Sequence, residues 1–172
     1  GTTLFASYNS AKPYDPSNTG LTAIPEFERY TINPKLFLYL NDKTTFNIGF
    51  NTTLENRKGG DIKYINGKTD KKLSYFEKNT TSRFSTQAGA ERILNENAKL
   101  TFKNSLNYYE RSIEIPNFKF SGIQTSSFSE INYSLKKEKT EWIAGLNFWT
   151  DAFSQKKLDT SKVVDYNYTT LG

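Results

Sequence analysis

Residues 45–57 constrain the fold of this chain more than any other stretch. Apolar and polar side chains alternate there for about a dozen residues, whereas strands of soluble proteins usually run about five or six. One face carries Phe46, Ile48, Phe50, Thr52 and Leu54, and the other carries Asn47, Gly49, Asn51, Thr53, Glu55 and Arg57. A strand of this length, apolar on one face only, is typical of a tilted strand that crosses a bilayer within a closed barrel.

The composition is compatible with membrane strands. The longest apolar run is residues 36–40, which is far shorter than the roughly 20 residues that a transmembrane helix needs. The mean hydropathy of −0.69 does not exclude a membrane barrel, because every second residue of its strands can face a polar lumen. Eleven Tyr and thirteen Phe favour strands and interfacial aromatic belts.

Several kinds of chemistry are excluded or disfavoured by the residue content. The chain has no Cys and no His, so it lacks disulfides, thiolates, the commonest general base and the commonest metal ligand. The sequence shows no Gly-rich phosphate loop, and its carboxylates are more typical of a solvated surface than of a glycosidase pair. The net charge of +5 is spread over many loops and argues only weakly for nucleic acid. We expect no enzymatic activity, no cofactor, no metal and no nucleic-acid partner.

Eight segments carry strand signals, and none carries a convincing helix signal. The predicted strands are residues 1–8, 27–40, 45–57, 83–94, 99–113, 123–135, 140–152 and 164–171. Pro34 predicts a bulge or a local edge in the second strand, because proline cannot donate to the ladder. Asn104 departs from the pattern by lying on an apolar face. The Asn66–Gly67 dipeptide suggests a small hairpin within a loop.

The predicted connections alternate between long and short. The short turns are residues 41–44, 95–98 and 136–139, and the long loops are residues 9–26, 58–79, 114–122 and 153–163. Long structureless loops are uncommon in soluble domains, whereas outer-membrane barrels have short periplasmic turns and long extracellular loops. The predicted outward faces also lack charge, except for Arg92 beside a turn, from which it can reach headgroups. We therefore predict an all-β fold: a segment of an antiparallel transmembrane β-barrel with about eight strands.

Four stretches then carry a resemblance to a known family. They are PYDPSNTGLTAIPEFERYTINPKLFLYLND at 13–42, FNIGFNTTLENRKGGD at 46–61, WIAGLNFWTDAF at 142–153 and DYNYTTLG at 165–172. The sequences of these stretches resemble the barrel strands and loops of TonB-dependent outer-membrane receptors of the Bacteroidetes type. The resemblance implies a barrel of about 22 strands plugged by an N-terminal domain. It implies uptake of a scarce ligand, such as a siderophore, haem, cobalamin or an oligosaccharide.

On this resemblance, residues 1–172 would all belong to one barrel domain in the bacterial outer membrane, and the plug would lie outside them. The implied partners are membrane lipid and lipopolysaccharide, the plug of the same protein, and the TonB complex acting through that plug. A surface lipoprotein is left open as a further partner. Two alternatives also stay open: a complete small barrel of structural or adhesive role, and a soluble β-sandwich that serves as a binding module.

The chain offers two sets of candidate functional residues. Aromatic and cationic side chains in the long loops could hold an anionic or polyhydroxylated ligand, or they could merely be solvated. This ligand-binding set is Tyr14, Lys63, Tyr64, Lys68 and Tyr75. Polar side chains on the inward parity of the strands are predicted to form hydrogen bonds to the plug. This plug-facing set is Asn47, Asn51, Glu55, Arg57, Lys103, Tyr109 and Glu130.

Overall fold

A computed structural model of the chain describes residues 1–68, 74–156 and 164–172. Eight strands form one antiparallel sheet in chain order, so the all-β prediction is confirmed. The strands are β1 (Thr2–Ala11), β2 (Glu26–Asn41), β3 (Thr44–Gly60), β4 (Phe76–Asn95), β5 (Ala98–Ile115), β6 (Phe118–Lys137), β7 (Thr140–Gln155) and β8 (Asp165–Leu171). A single helical turn, α1 (Ile62–Ile65), follows β3. Among the described residues, no helix is long and apolar enough to cross a membrane.

The register of the sheet keeps like side chains together. Phe46 on β3 lies opposite Leu38 on β2 and Ala90 on β4. Because alternate residues of a strand point to opposite faces, this pairing gives the whole sheet one apolar and one polar face. We call the side chains in register with Phe46, Ile48, Phe50, Thr52 and Leu54 the apolar face. Those in register with Asn47, Gly49, Asn51, Thr53, Glu55 and Arg57 form the polar face.

The sheet is a single open layer. Within the described residues, β1 pairs only with β2 and β8 only with β7, so the sheet is not closed. The buried apolar residues in the same part of the chain are Ile65, Phe76 and Ala98. A sandwich needs a second layer over one face, and a complete small barrel needs β1 paired with β8. Residues 1–68, 74–156 and 164–172 form neither arrangement.

The prediction of a medium-length loop at 114–122 is wrong. β5 continues to Ile115 and β6 begins at Phe118, so the connection is a tight turn of Pro116 and Asn117. Asn117 has φ 63°, a left-handed conformation that asparagine tolerates better than most residues. The pairs Ile115–Phe118 and Ile113–Phe120 extend the hairpin beyond the predicted strand ends. The expected alternation of long and short connections therefore fails here.

The predicted loop at 58–79 is shorter than expected and contains α1. The Asp61 carboxylate caps α1 by accepting hydrogen bonds from the backbone N–H of Lys63 at 2.8 Å and of Tyr64 at 3.3 Å. The hairpin predicted around Asn66 is not formed, because Asn66 ends the helical turn instead. Residues 69–73 of this loop, and residues 157–163 of the last predicted loop, lie outside the described residues.

The sequence predicts a bulge or a local edge at Pro34, and the structure shows no bulge there but an interrupted ladder to β3. β2 has no register shift at Pro34, since Ile32 pairs with Thr52 and Lys35 with Gly49 in one continuous register. The described register shift of that pair of strands lies beside the turn, between Tyr39 and Asn41. A missing donor therefore leaves a gap in the ladder without inserting a residue. The departure at Asn104 is confirmed.

The Asn104 amide obtains partners within the sheet. Its Nδ2 donates to the backbone carbonyl of Phe128 at 3.2 Å and to Ser129 Oγ at 2.8 Å. Because an unpaired amide on an apolar surface would cost about 1–3 kcal/mol, these cross-strand bonds explain how the apolar face accommodates an asparagine.

The first long loop is folded onto the end of β3. Backbone N–H groups of Thr22 and Ile62 donate to the carbonyls of Gly60 at 2.9 Å and Gly20 at 3.0 Å. These bonds join the loop at 12–25 to α1. The loop at 12–25, the helical turn α1 and the tight turn at 116–117 thus lie at one end of the sheet, the long-loop end, and the tight turns at 42–43, 96–97 and 138–139 lie at the other.

The Asp15 carboxylate closes the first loop. It accepts hydrogen bonds from the backbone N–H of Gly20 at 2.7 Å and of Thr19 at 3.1 Å. Desolvation is the largest single influence and raises the pKa of Asp15, but the hydrogen bonds of Gly20, Thr19 and Ser17 together outweigh it. The pKa therefore lies below its ordinary value. A lowered folded-state pKa means that the loop is stabilised above the ordinary pKa and loses this stabilisation as pH falls through the folded-state value.

Substitution of Asp15 by Asn should therefore loosen the loop at neutral pH but not in acid. We expect faster amide hydrogen exchange at Thr19 and Gly20 in the variant at about pH 6. The ratio of its exchange rates to those of wild type should approach one as pH falls below the folded-state pKa of Asp15. A ratio that does not change with pH would show that the carboxylate does not hold the loop.

Candidate functional site

The apolar face is exposed along its length rather than packed. Ile48 is 55% exposed, Leu106 is 52% exposed and Trp142 is 68% exposed. Contiguous exposed apolar surface of this kind is typical of sites that contact another protein, a ligand or lipid.

The apolar face also has a charge-free band. On β4, its ionisable residues are Arg92 near one end and Lys78 near the other, and the face carries none from 80 to 90. Residues 80–90 extend about 33 Å, which at a tilt of about 35–45° covers about 25 Å of height. That height equals the apolar band of membrane β-barrels, which is about 25 Å.

The polar face holds all seven residues predicted to face a plug. Asn47, Lys103 and Glu130 lie in one row across β3 to β6, and Lys103 Nζ is 3.2 Å from Glu130 Oε1. Asn51 lies two rows nearer the long loops. Glu55, Arg57 and Tyr109, the remaining three, belong to a concavity at the long-loop end of the same face.

This arginine concavity has a volume of about 560 Å³. It contains four of the five arginines of the chain. Its lining residues are Arg29, Thr31, Thr53, Glu55, Arg57, Asn79, Thr81, Arg83, Tyr109 and Arg111. Every one of them lies on the polar face of β2, β3, β4 or β5.

The strand register brings the guanidinium groups together. Arg29, Glu55, Thr81 and Arg111 form one row across four strands. Arg57 lies two residues beyond this row. On the other side, Arg83 pairs with Thr53 and with Tyr109. Neighbouring strands are about 4.8 Å apart, so long arginine side chains from these rows converge on one region.

The concavity carries an excess of positive charge. The Glu55 carboxylate forms an ion pair with Arg29 and lies 3.6 Å from Arg57 Nε. Arg111 Nε donates to Asn79 Oδ1 at 3.1 Å, and the Arg83 guanidinium lies 5.1 Å from the Tyr109 ring centroid. Within the described residues, no carboxylate forms an ion pair with Arg83 or Arg111. Four cations around one carboxylate form a surface that favours anions.

An aromatic row continues the polar face toward β8. Successive rings lie at centroid distances of 5.6–6.3 Å, and the members are Phe120, Phe153, Tyr166, Tyr168 and Trp149. The first four rings are stacked, whereas Trp149 meets Tyr168 edge-on. Phe153 lies flat over Gly122, where an added Cβ would come within 2.7 Å of the ring. Pairing of Tyr109 with Gln124, and of Gln124 with Phe153, places the aromatic row beside the arginine concavity. The row provides a rigid stacking surface.

The residues predicted to bind ligand from the loops are divided between two loops. Tyr64 on α1 is half-buried, with its ring 5.1 Å from that of Phe76 and 4.9 Å from Lys58 Nζ. Lys63 on α1 and Lys68 just after it are exposed. Tyr75 is 54% exposed, and its carbonyl accepts from the backbone N–H of Asp61 at 2.8 Å. Tyr14 is 56% exposed on the other loop.

Sequence reasoning missed most of the arginine concavity. Glu55, Arg57 and Tyr109 were among the predicted polar-face residues, whereas Arg29, Arg83, Arg111 and Asn79 were not. A partial signal was present, because a short turn limits the register of the two strands that it joins. Arg29 pairs with Glu55 across the turn at 42–43, and Arg83 pairs with Tyr109 across the turn at 96–97. In both hairpins a register shift of one residue beside the turn sets the exact partner.

Neither a metal-ligand cluster nor a comparison with known proteins assigns a function to this surface. Within the described residues, Asp and Glu form no group of three that could hold a metal ion. Comparison with known protein families finds no match, and comparison with curated proteins finds no significant match. The function of the sheet must therefore be inferred from the geometry and charge of its two faces.

Proposed function

We propose that this sheet is part of the wall of a transport β-barrel in a bacterial outer membrane. The observation that carries the proposal is the pairing of a charge-free, exposed apolar face with a polar face on strands of 16–20 residues. Lipid would cover the apolar face, where an Arg or Lys at the midplane would cost about 2–4 kcal/mol. The polar face would line the lumen.

The unpaired edges of the sheet favour a barrel wall with more strands than these eight. β1 and β8 each present one unpaired edge within the described residues. An unpaired backbone group costs several kcal/mol in hydrocarbon, so a membrane sheet must continue until it closes. Additional strands on both sides would satisfy these edges, which favours a large barrel over a complete small one.

We propose further that the barrel is of the TonB-dependent kind and imports a scarce ligand. The stretches at 13–42, 46–61, 142–153 and 165–172 support this by their resemblance to such receptors. The ion pair of Lys103 with Glu130 and the amides of Asn47 and Asn51 would supply hydrogen bonds to a plug in the lumen. The TonB complex would act through that plug, and lipid with lipopolysaccharide would surround the outer surface.

A pair of cysteine variants tests which face meets lipid. Leu106 on the apolar face and Asn107 on the polar face are neighbours on β5, and both are exposed in the sheet. The chain has no Cys, so Leu106→Cys and Asn107→Cys each introduce one thiol into it. We expect a hydrophilic maleimide to label Asn107→Cys on the order of tenfold faster in the membrane, because lipid excludes the reagent from Leu106→Cys.

The labelling is measured by mass spectrometry of the tryptic segment, in the protein as its gene encodes it and in its membrane. Denaturation in detergent serves as the control and should make the two rates equal. Equal rates already in the membrane would contradict a lipid-covered apolar face and would favour a soluble sheet.

A further inference from the structure

We infer that the arginine concavity binds a small solute that carries two or more phosphate or carboxylate groups. The inference rests on the proposed transport function and names the class of cargo. It is carried by the composition, contacts and position of the concavity.

Arginine and lysine are distributed differently over the described sheet. The sequence has eighteen lysines and only five arginines, yet four of those arginines line this one concavity. No lysine lies among its lining residues. Arginine differs from lysine in presenting a planar fork of donors that matches phosphate and carboxylate oxygens in pairs. Concentration of the forked cation at one place is suited to oxyanion recognition rather than to general solubility.

The contacts leave donors available to a ligand. Arg111 uses Nε on Asn79, which leaves its terminal nitrogens without a described carboxylate partner. Arg83 is held by its ring contact with Tyr109, at 5.1 Å, and that contact leaves the edge of the guanidinium free to donate. The hydroxyls of Thr31 and Thr53, 3.3 Å apart, add neutral donors between the cations.

Glu55 arranges the other two arginines without neutralising the site. Its side chain is 15% exposed, whereas those of Arg29 and Arg57 are each 42% exposed. One carboxylate thus holds the inner edges of two guanidinium groups and leaves their outer edges toward solvent. Four guanidinium groups and one carboxylate leave a net charge of +3, which is why a solute with several acidic groups neutralises the site better than a singly charged one.

The position suits capture from outside the membrane. Arg29 and Glu55 adjoin Tyr30 and Leu54. On the apolar face Tyr30 is followed directly by Glu28, and Leu54 is followed by Asn56 and then Lys58, so the charge-free band ends here on both strands. The concavity therefore lies on the lumen side at the long-loop border of the band. Under the proposed orientation, a solute arriving past the loops meets this region first, and the positive field steers anions toward it.

Binding of pyrophosphate to the detergent-solubilised protein tests the inference. The variant Arg83→Gln/Arg111→Gln removes the two arginines that have no acidic partner among the described residues. Lys35→Gln removes one cation elsewhere on the same face, where Lys35 pairs with Gly49. By calorimetry we expect the double variant to bind on the order of a hundredfold more weakly, and Lys35→Gln to bind within about twofold of wild type. Added salt should weaken wild-type binding.

Chemical modification gives a second measurement that needs no variant. Phenylglyoxal modifies exposed arginines, and pyrophosphate should protect Arg83 and Arg111 but not Arg92, which lies on the apolar face. Mass spectrometry of the modified chain measures the modification of Arg83, Arg111 and Arg92 in one experiment. This comparison remains decisive if the double variant fails to fold.

Three outcomes would overturn the inference. The first is equal affinity in wild type and the double variant, and the second is a loss as large in Lys35→Gln. The third is absence of pyrophosphate binding and protection in the wild-type protein, which would indicate that an acidic segment of a plug already fills the concavity. None of these outcomes alters the labelling contrast between Leu106→Cys and Asn107→Cys, so failure of the inference is distinguishable from failure of the proposed function.

Discussion

Replacement of Phe50 by arginine is expected to destabilise the protein and to lower the amount that assembles in its membrane. Phe50 is 40% exposed and lies midway along the charge-free stretch of β3, between Phe46 and Leu54. Arginine near the bilayer midplane costs about 2–4 kcal/mol on the lipid face of a membrane barrel. Because folded proteins are stabilised by only about 5–15 kcal/mol, a loss of this size should sharply lower the amount of folded protein.

Asn51→Arg is the matched control for this prediction. It introduces the same side chain one residue further along β3, on the polar face. We expect Asn51→Arg to reach the membrane in near wild-type amounts, whereas Phe50→Arg accumulates as unfolded or degraded chain. The measurement is the fraction of protein in the membrane that resists SDS unless boiled. Equal losses in the two variants would contradict the assignment of lipid to one face.

Substitution of Gly60 by alanine is expected to disrupt the corner between β3 and α1. Gly60 has φ 120°, a conformation that side chains rarely adopt, and an added Cβ would lie 2.7 Å from Phe76 Cα and in collision with the Tyr75 carbonyl. Those atoms belong to the backbone and cannot rotate away. Strain of this kind costs about 1–3 kcal/mol, to which the collision adds, so the loop that contains α1 should detach from β4.

Gly67→Ala separates the effect of conformation from that of collision. Gly67 has φ 73°, but an added Cβ there has nothing within 4 Å. We expect amide hydrogen exchange at Asp61 and Ile62 to accelerate strongly in Gly60→Ala and little in Gly67→Ala. These amides donate to Tyr75 and Gly20, so they report directly on the corner. Similar acceleration in both variants would show that the close approach of the two backbones is unimportant.

The sequence predicted the strands wherever apolar and polar side chains alternate along the chain. Residues 45–57 predicted most of β3, and the structure extends it to Thr44–Gly60. The ends were less predictable, because strands such as β4 and β6 continue past the apolar band into segments whose alternation is polar or aromatic. The hairpin at Pro116 and Asn117 was missed for this reason, since charged and proline residues there are typical of loops.

The sequence could indicate the residue pairs within each of the two hairpins that form the arginine concavity, but not how the hairpins lie together. The short turns at 42–43 and 96–97 bring Arg29 near Glu55 and Arg83 near Tyr109, and a register shift of one residue beside each turn sets these exact pairs. Each pair alone is an ordinary cross-strand contact. The arginine concavity forms only when the two hairpins lie side by side in the sheet.

The sequence by itself determined that this chain forms antiparallel strands with one apolar and one polar face, because side-chain alternation has the period of a strand. Only the tertiary structure decided that Glu55 pairs with Thr81 and Thr53 with Arg83, and so joined the two halves of the concavity. The physical reason is the connection between β3 and β4. A two-residue turn fixes strand register, whereas a long connection leaves the register to be chosen by packing and hydrogen bonding across the whole sheet.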